Sequence, residues 1–125
     1  MLKKLAIAVF AAALVVLPAL ASGPLDGKTF HGKLTEVGKG GHADNFEFKN
    51  GQFLSTACQH EGFGSGAYTT EGSGPSFTFT AQTMSKKDGT MDWKGAVNGD
   101  SISGTATWTK SGMAPVNYTF EAKMK

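Results

Sequence analysis

Two alternating runs meet at Asn98-Gly99, within the stretch MDWKGAVNGDSISGTATW from Met91 to Trp108. This feature constrains the chain more than any other. A two-residue hairpin turn of type I′ needs positive φ at both central positions, which asparagine and glycine tolerate. Folding the chain at that pair puts Val97 opposite Asp100, Gly95 opposite Ile102, Trp93 opposite Gly104 and Met91 opposite Ala106. Large residues on this face then meet small ones. An indole over a glycine fills the space of the missing side chain, which favours this register over a one-residue slip. Asp92, Lys94, Ser101, Ser103, Thr105 and Thr107 fall on the other face. The hairpin is dry on one side and wet on the other.

The same period of two runs through most of the chain. Thr29–Val37 places Phe30, Gly32 and Leu34 on one face and His31, Lys33 and Thr35 on the other. Asn45–Lys49 and Gln52–Thr56 flank Asn50-Gly51, a second type I′ signal that pairs Phe48 with Phe53 and Phe46 with Ser55. Gly66–Glu71 is a weaker run, followed by a turn over Gly72–Pro75. Ser76–Thr83 turns Phe77, Phe79 and Ala81 inward, and Val116, Tyr118, Phe120, Ala122 and Met124 form one face of the last run. Short connections make neighbouring strands pair, so the runs predict an antiparallel meander. Eight strands can close on themselves and remove their exposed edges. A barrel of that size is just wide enough to be filled by side chains or to hold one small ligand. The expected fold is all-β: a single eight-stranded antiparallel meander closed into a small barrel, with a two-sheet β-sandwich as the alternative. Trp93, Trp108, Tyr118, Phe46, Phe48, Phe77, Phe79 and Phe120 form the expected interior.

Residues 1–21 read as a signal peptide. Lys3 and Lys4 precede an apolar run from Leu5 to Leu17, and Ala19-Leu20-Ala21 supplies a small-x-small cleavage pattern. The apolar run is shorter than a bilayer-spanning helix. Ser22, not cysteine, follows the expected cut, so no lipid anchor is implied. The expected organisation is a signal helix over 1–21 and one β-barrel domain over 22–125. The expected location is periplasmic or secreted, with no membrane span after cleavage. Arginine is absent, and without Lys3 and Lys4 ten lysines face ten acidic residues. A near-neutral chain lacks the basic stripe that displaces counterions from nucleic acid. Cys58 is the only cysteine, so there is no internal disulfide, and the chain is expected as a monomer or a Cys58-linked dimer.

This layout of short alternating strands resembles the calycin superfamily, the small lipocalin-like and avidin-like up-and-down barrels. Gly27-Lys28-Thr29-Phe30 stands where lipocalins carry Gly-x-Trp near the first strand, and the large C-terminal lipocalin helix is missing. The Ser55–Tyr68 stretch, together with WKGAVNGDSISGTATW, is also similar to a group of small exported bacterial proteins, a likeness that brings no function with it. The calycin resemblance implies a ligand held by the barrel and leaves the ligand class open.

In a meander, alternate connections share an end. The turns at 50–51, 72–75 and 98–99 are tight and close one end, whereas 38–44, 57–65, 84–90 and 110–115 are longer and surround the other. His42, Cys58, His60, Phe63, Met84 and Met113 belong to that open mouth, and barrel mouths are common ligand sites. Phe63, Trp108, Tyr118, Phe46 and Phe79 are the expected ligand-binding residues, Trp108 foremost because its strand runs toward the mouth. Cys58-Gln59-His60-Glu61 is the one cluster of reactive side chains. Thiolate, imidazole and thioether suit Cu(I) or Zn, with His42, Met84 or Met113 as further ligands. Counting alternation from Asn50-Gly51, however, turns Cys58 outward with Leu54 and Thr56. Residues two apart rarely meet as nucleophile and base, so no catalytic residue is expected. Three readings follow. The first is an exported non-enzymatic binding protein for a small, largely apolar ligand. The second is a copper- or zinc-binding or thiol redox protein using Cys58 and His60. The third is a structural protein that dimerises through Cys58. No cofactor is specified by the sequence.

Overall fold

A computed structural model describes residues 23–125, so the expected signal peptide lies outside the described residues. Eight strands follow in order: β1 Thr29–Glu36, β2 Gly41–Lys49, β3 Gln52–Ser55, β4 Gly66–Glu71, β5 Ser76–Ser85, β6 Gly89–Asn98, β7 Ser101–Thr109 and β8 Val116–Met124. A single helical turn, α1, spans Thr56–Gln59 between β3 and β4. Each strand pairs antiparallel with the next and β8 returns to β1, giving a closed barrel rather than a sandwich.

The two Asn-Gly pairs turn differently. Asn50 and Gly51 both take positive φ, 52° and 77°, and the expected pairs Phe48–Phe53 and Phe46–Ser55 form. At the second pair, Asn98 is the last residue of β6 and faces Ser101, so the turn residues are Gly99 and Asp100. Only Gly99 has positive φ, 60°, the pattern of a type II′ turn. The cause lies in another hairpin. Ser76 Oγ donates to Asn98 Oδ1 at 2.8 Å, and the Gly99 N–H donates to the Pro75 carbonyl at 2.8 Å. Those bonds hold Asn98 in the ladder. Partners therefore sit two residues from the expected register: Trp93 faces Ala106, Gly95 faces Gly104 and Met91 faces Trp108. A two-residue shift leaves every side chain on its face. The inner and outer assignments stand, and the pairing of Trp93 with Gly104 does not. A Cβ on Gly95 would lie 2.7 Å from Phe79 Cε1 and 2.9 Å from Phe120 Cζ, so rings occupy its space.

Strands at the mouth end outrun their expected limits. β2 begins at Gly41, which reduces the expected 38–44 loop to a short turn and places His42 opposite Leu34. β5 reaches Ser85 and β6 starts at Gly89, leaving only Lys86–Asp88 between them. Met84 therefore sits on a strand's outer face, 62% exposed, and not in a mouth loop. Outward polar side chains do not oppose pairing once a neighbouring strand offers its backbone groups.

Rings fill the middle of the barrel. Phe30, Phe46, Phe48, Phe53, Phe79 and Trp93 are all buried. Centroid separations run from 4.9 Å for Phe53–Trp93 to 6.2 Å for Phe46–Phe53, and most pairs are tilted or edge-on, as the ring quadrupole favours. The leader closes the bottom. Leu25 is fully buried, and its N–H donates to the Tyr68 hydroxyl at 3.0 Å. Tyr68 in turn donates to Asp26 Oδ1 at 2.8 Å, which also accepts the Gly51 N–H at 3.0 Å.

Candidate ligand site at the barrel mouth

Above the ring-filled middle, the mouth opens into a cleft of about 640 Å³. Leu34, Phe63, Met91, Trp108 and Tyr118 give it apolar walls, and Glu36, Lys39, His42, His60, Glu61 and Asp88 stand with them. Asp44 explains how one wall is built. It lies on the inner face of β2, 4% exposed, and accepts from Ser55 Oγ, from the Ala57 N–H at 2.9 Å and from Thr56 Oγ1 at 3.3 Å. Ser55 Oγ caps α1 by accepting from the Cys58 N–H at 3.2 Å. The two residues stop β3 and wind the chain into α1, as side-chain acceptors do at a helix start. Alternation is broken there. Cys58, expected outside, instead packs half-buried against the core and lines the cleft.

Backbone bonds then carry the following loop across the top. The Phe63 N–H donates to the Cys58 carbonyl at 3.1 Å, and the Gly64 N–H to the Met84 carbonyl at 3.1 Å, leaving Phe63 only 5% exposed. On the opposite wall, Trp108 Nε1 donates to the Asp88 carbonyl, and Lys110 Nζ pairs with Asp88 Oδ1 at 3.2 Å. Lys39 pairs with Glu36 at 3.4 Å.

Burial, with charge in the cleft added to it, acts on two weak acids there. Burial pushes the Cys58 thiol up to about 11, with the Asp44 and Glu61 carboxylates adding to it against the hydrogen bond from Ser55. Tyr118 is raised by burial, then by Glu36 and Cys58. A protonated thiol is neither nucleophile nor good metal ligand. Among the described residues, no three His, Cys, Asp or Glu side chains come together as a metal-holding group.

Six of the expected site residues meet here: Phe63, Trp108, Tyr118, Cys58, His60 and His42 all line the cleft. Phe46 and Phe79 do not. They are 0% and 1% exposed within the packed rings beneath, where neighbouring side chains leave a ligand no room. Met84 points outward and Met113, 41% exposed, is not part of the lining. Asp44, expected at the end of the 38–44 loop, lies in β2 and shares the parity of Phe46 and Phe48, which puts it on the inner face. A second hollow of about 630 Å³ crosses the outside of β4–β7 over Thr69, Thr80, Gln82, Thr105 and Thr107. These are outward polar residues of the sheet, so the mouth is the better candidate. No protein-family profile, no curated protein and no solved structure matches the chain. Among the described residues, no helix is long and apolar enough to cross a membrane.

Proposed function

We propose that this is an exported, non-enzymatic binding protein that holds a small, largely apolar ligand across the mouth of its barrel. One observation carries the reading: a cleft of about 640 Å³ walled by Phe63, Met91, Trp108 and Tyr118. Ligand pockets commonly measure about 300–1,000 Å³ and join apolar walls to a few polar groups. The closed eight-stranded barrel suits the resemblance to calycins, which implies a ligand held by the barrel. Because rings fill the barrel beneath, the ligand lies in the mouth and does not thread the barrel. A protonated Cys58 favours binding over thiol chemistry at this site. Export rests on the signal pattern of residues 1–21.

Titration with two uncharged probes, N-phenyl-1-naphthylamine and decanol, tests the reading. Saturable change in tryptophan fluorescence is expected, lost in Trp108→Phe and weakened in Phe63→Ala. If neither probe gives a saturable response in the wild-type protein, the reading fails.

A further inference from the structure

We propose that the mouth selects an organic cation, an alkyl- or arylamine or a quaternary ammonium compound. Its apolar part would lie along Phe63, Trp108 and Tyr118, and its charged end beside Glu61. The inference rests on the mouth being the ligand site and adds the chemical class.

The cleft itself carries the argument. Among the described residues Lys39 is the one lysine that lines the cleft, and it is engaged by Glu36. Lys110, which pairs with Asp88, and Lys86 and Lys87, in the turn between β5 and β6, lie outside the lining, so the cleft wall itself offers no free positive charge to an anionic ligand. Glu61 lines the same cleft and has no ion-pair partner among the described residues. Asp44 lies just behind Cys58, held by hydroxyls and a backbone N–H and by no cation. An anion entering the cleft would therefore meet uncompensated carboxylate charge. Trp108 and Tyr118 occupy neighbouring strands and line the cleft together. Apolar walls, two aromatic rings and one free carboxylate suit an amphipathic cation better than a neutral or anionic molecule of equal length. Burial chiefly holds the Cys58 thiol and the Tyr118 phenol toward their neutral forms, and the carboxylates beside them, Asp44 and Glu61 for Cys58 and Glu36 for Tyr118, act in the same direction.

Three ligands of equal chain length decide the matter: decyltrimethylammonium, decanol and decyl sulfate, each below its micelle concentration. Calorimetry is run at pH 8, above the range in which histidine ordinarily charges. The ammonium compound should bind tightest, and its advantage over decanol should shrink in high salt. Glu61→Gln should weaken the ammonium compound about three- to fivefold, the effect of one nearby charge partly exposed to water, and leave decanol unchanged. The Glu61 side chain makes no hydrogen bond on which the loop depends, so the variant keeps its fold; thermal unfolding checks this. Decanol or decyl sulfate binding as tightly as the ammonium compound overturns the cation assignment while the apolar site stands. An unchanged ammonium affinity in Glu61→Gln overturns it too. Failure of all three ligands removes the mouth as a ligand site altogether.

Discussion

Trp93 is buried and donates its indole N–H to Thr83 Oγ1 at 3.1 Å, so it has both an apolar and a polar role. Trp93→Ala leaves a void among the rings and should cost about 3–5 kcal/mol. A domain of this size has only about 5–15 kcal/mol in all. Thr83→Val keeps the shape and removes the acceptor, stranding a buried N–H at about 1–3 kcal/mol. Thr105→Val, on the outer face, should stay within about 0.5 kcal/mol. Urea midpoints rank the three, and a Trp93→Ala no worse than Thr105→Val would refute the packing described. Cys58 makes a separate prediction. Its folded-state value of about 11 exceeds the ordinary 9.0, chiefly through burial. The native state then keeps a proton that the unfolded chain has already lost. That contribution is whole below pH 9 and disappears as pH rises to about 11. Cys58→Ser should flatten this part of the pH–stability curve, leaving the later loss from Tyr68, which burial and the neighbouring Asp26 push up to about 12. Iodoacetamide should accordingly label the folded protein far more slowly at pH 8 than the urea-unfolded chain.

The leader before β1 acts as an element although it has no regular structure. Leu25→Ala should cost about 2–5 kcal/mol, the range for a buried leucine, and urea unfolding measures it. Asp26 below it has opposing influences: burial raises its carboxyl, but the bonds from Gly51, Tyr68 and Gly23 prevail and lower it. Its support is therefore present above the usual carboxylate range and fades as pH falls through the lowered value. The leader's role was not legible in the sequence, where Gly23, Pro24 and Gly27 read only as a loop. Strand periodicity was legible, because a period of two is written residue by residue. So was the Asn50-Gly51 register, which is settled within one hairpin. The Asn98-Gly99 register was not, since Ser76 and Pro75, from a different hairpin, decide it. α1 was hidden for the same reason: Asp44 acts on it from 11 to 13 residues away. Phe46 and Phe79 show a further limit. Alternation tells which face a ring is on, not how far down the barrel it sits.

Closure is uneven around the whole molecule. β5 and β6 pair along their full lengths, from Ser76–Asn98 to Ser85–Gly89, whereas β3 and β4 align only at Gln52–Ala67 and Phe53–Gly66. Backbone amides there should exchange with deuterium first and those of β6 last, since local opening follows the least-supported ladder. Uniform protection around the barrel would contradict this. The β1–β8 pairing, from Phe30–Met124 to Glu36–Tyr118, also sets an order in time. The chain is made from its N-terminus, so the first strand exists long before its second neighbour. Until β8 arrives, β1 has one flank without a partner, and so does β7. Late, long-range pairings of this kind slow folding and expose unpaired strands meanwhile. A chain stopped before Val116 would keep two open flanks permanently, and each could recruit the other from a second molecule. The last nine-residue strand decides whether the chain ends as a separate molecule or as a link in an aggregate.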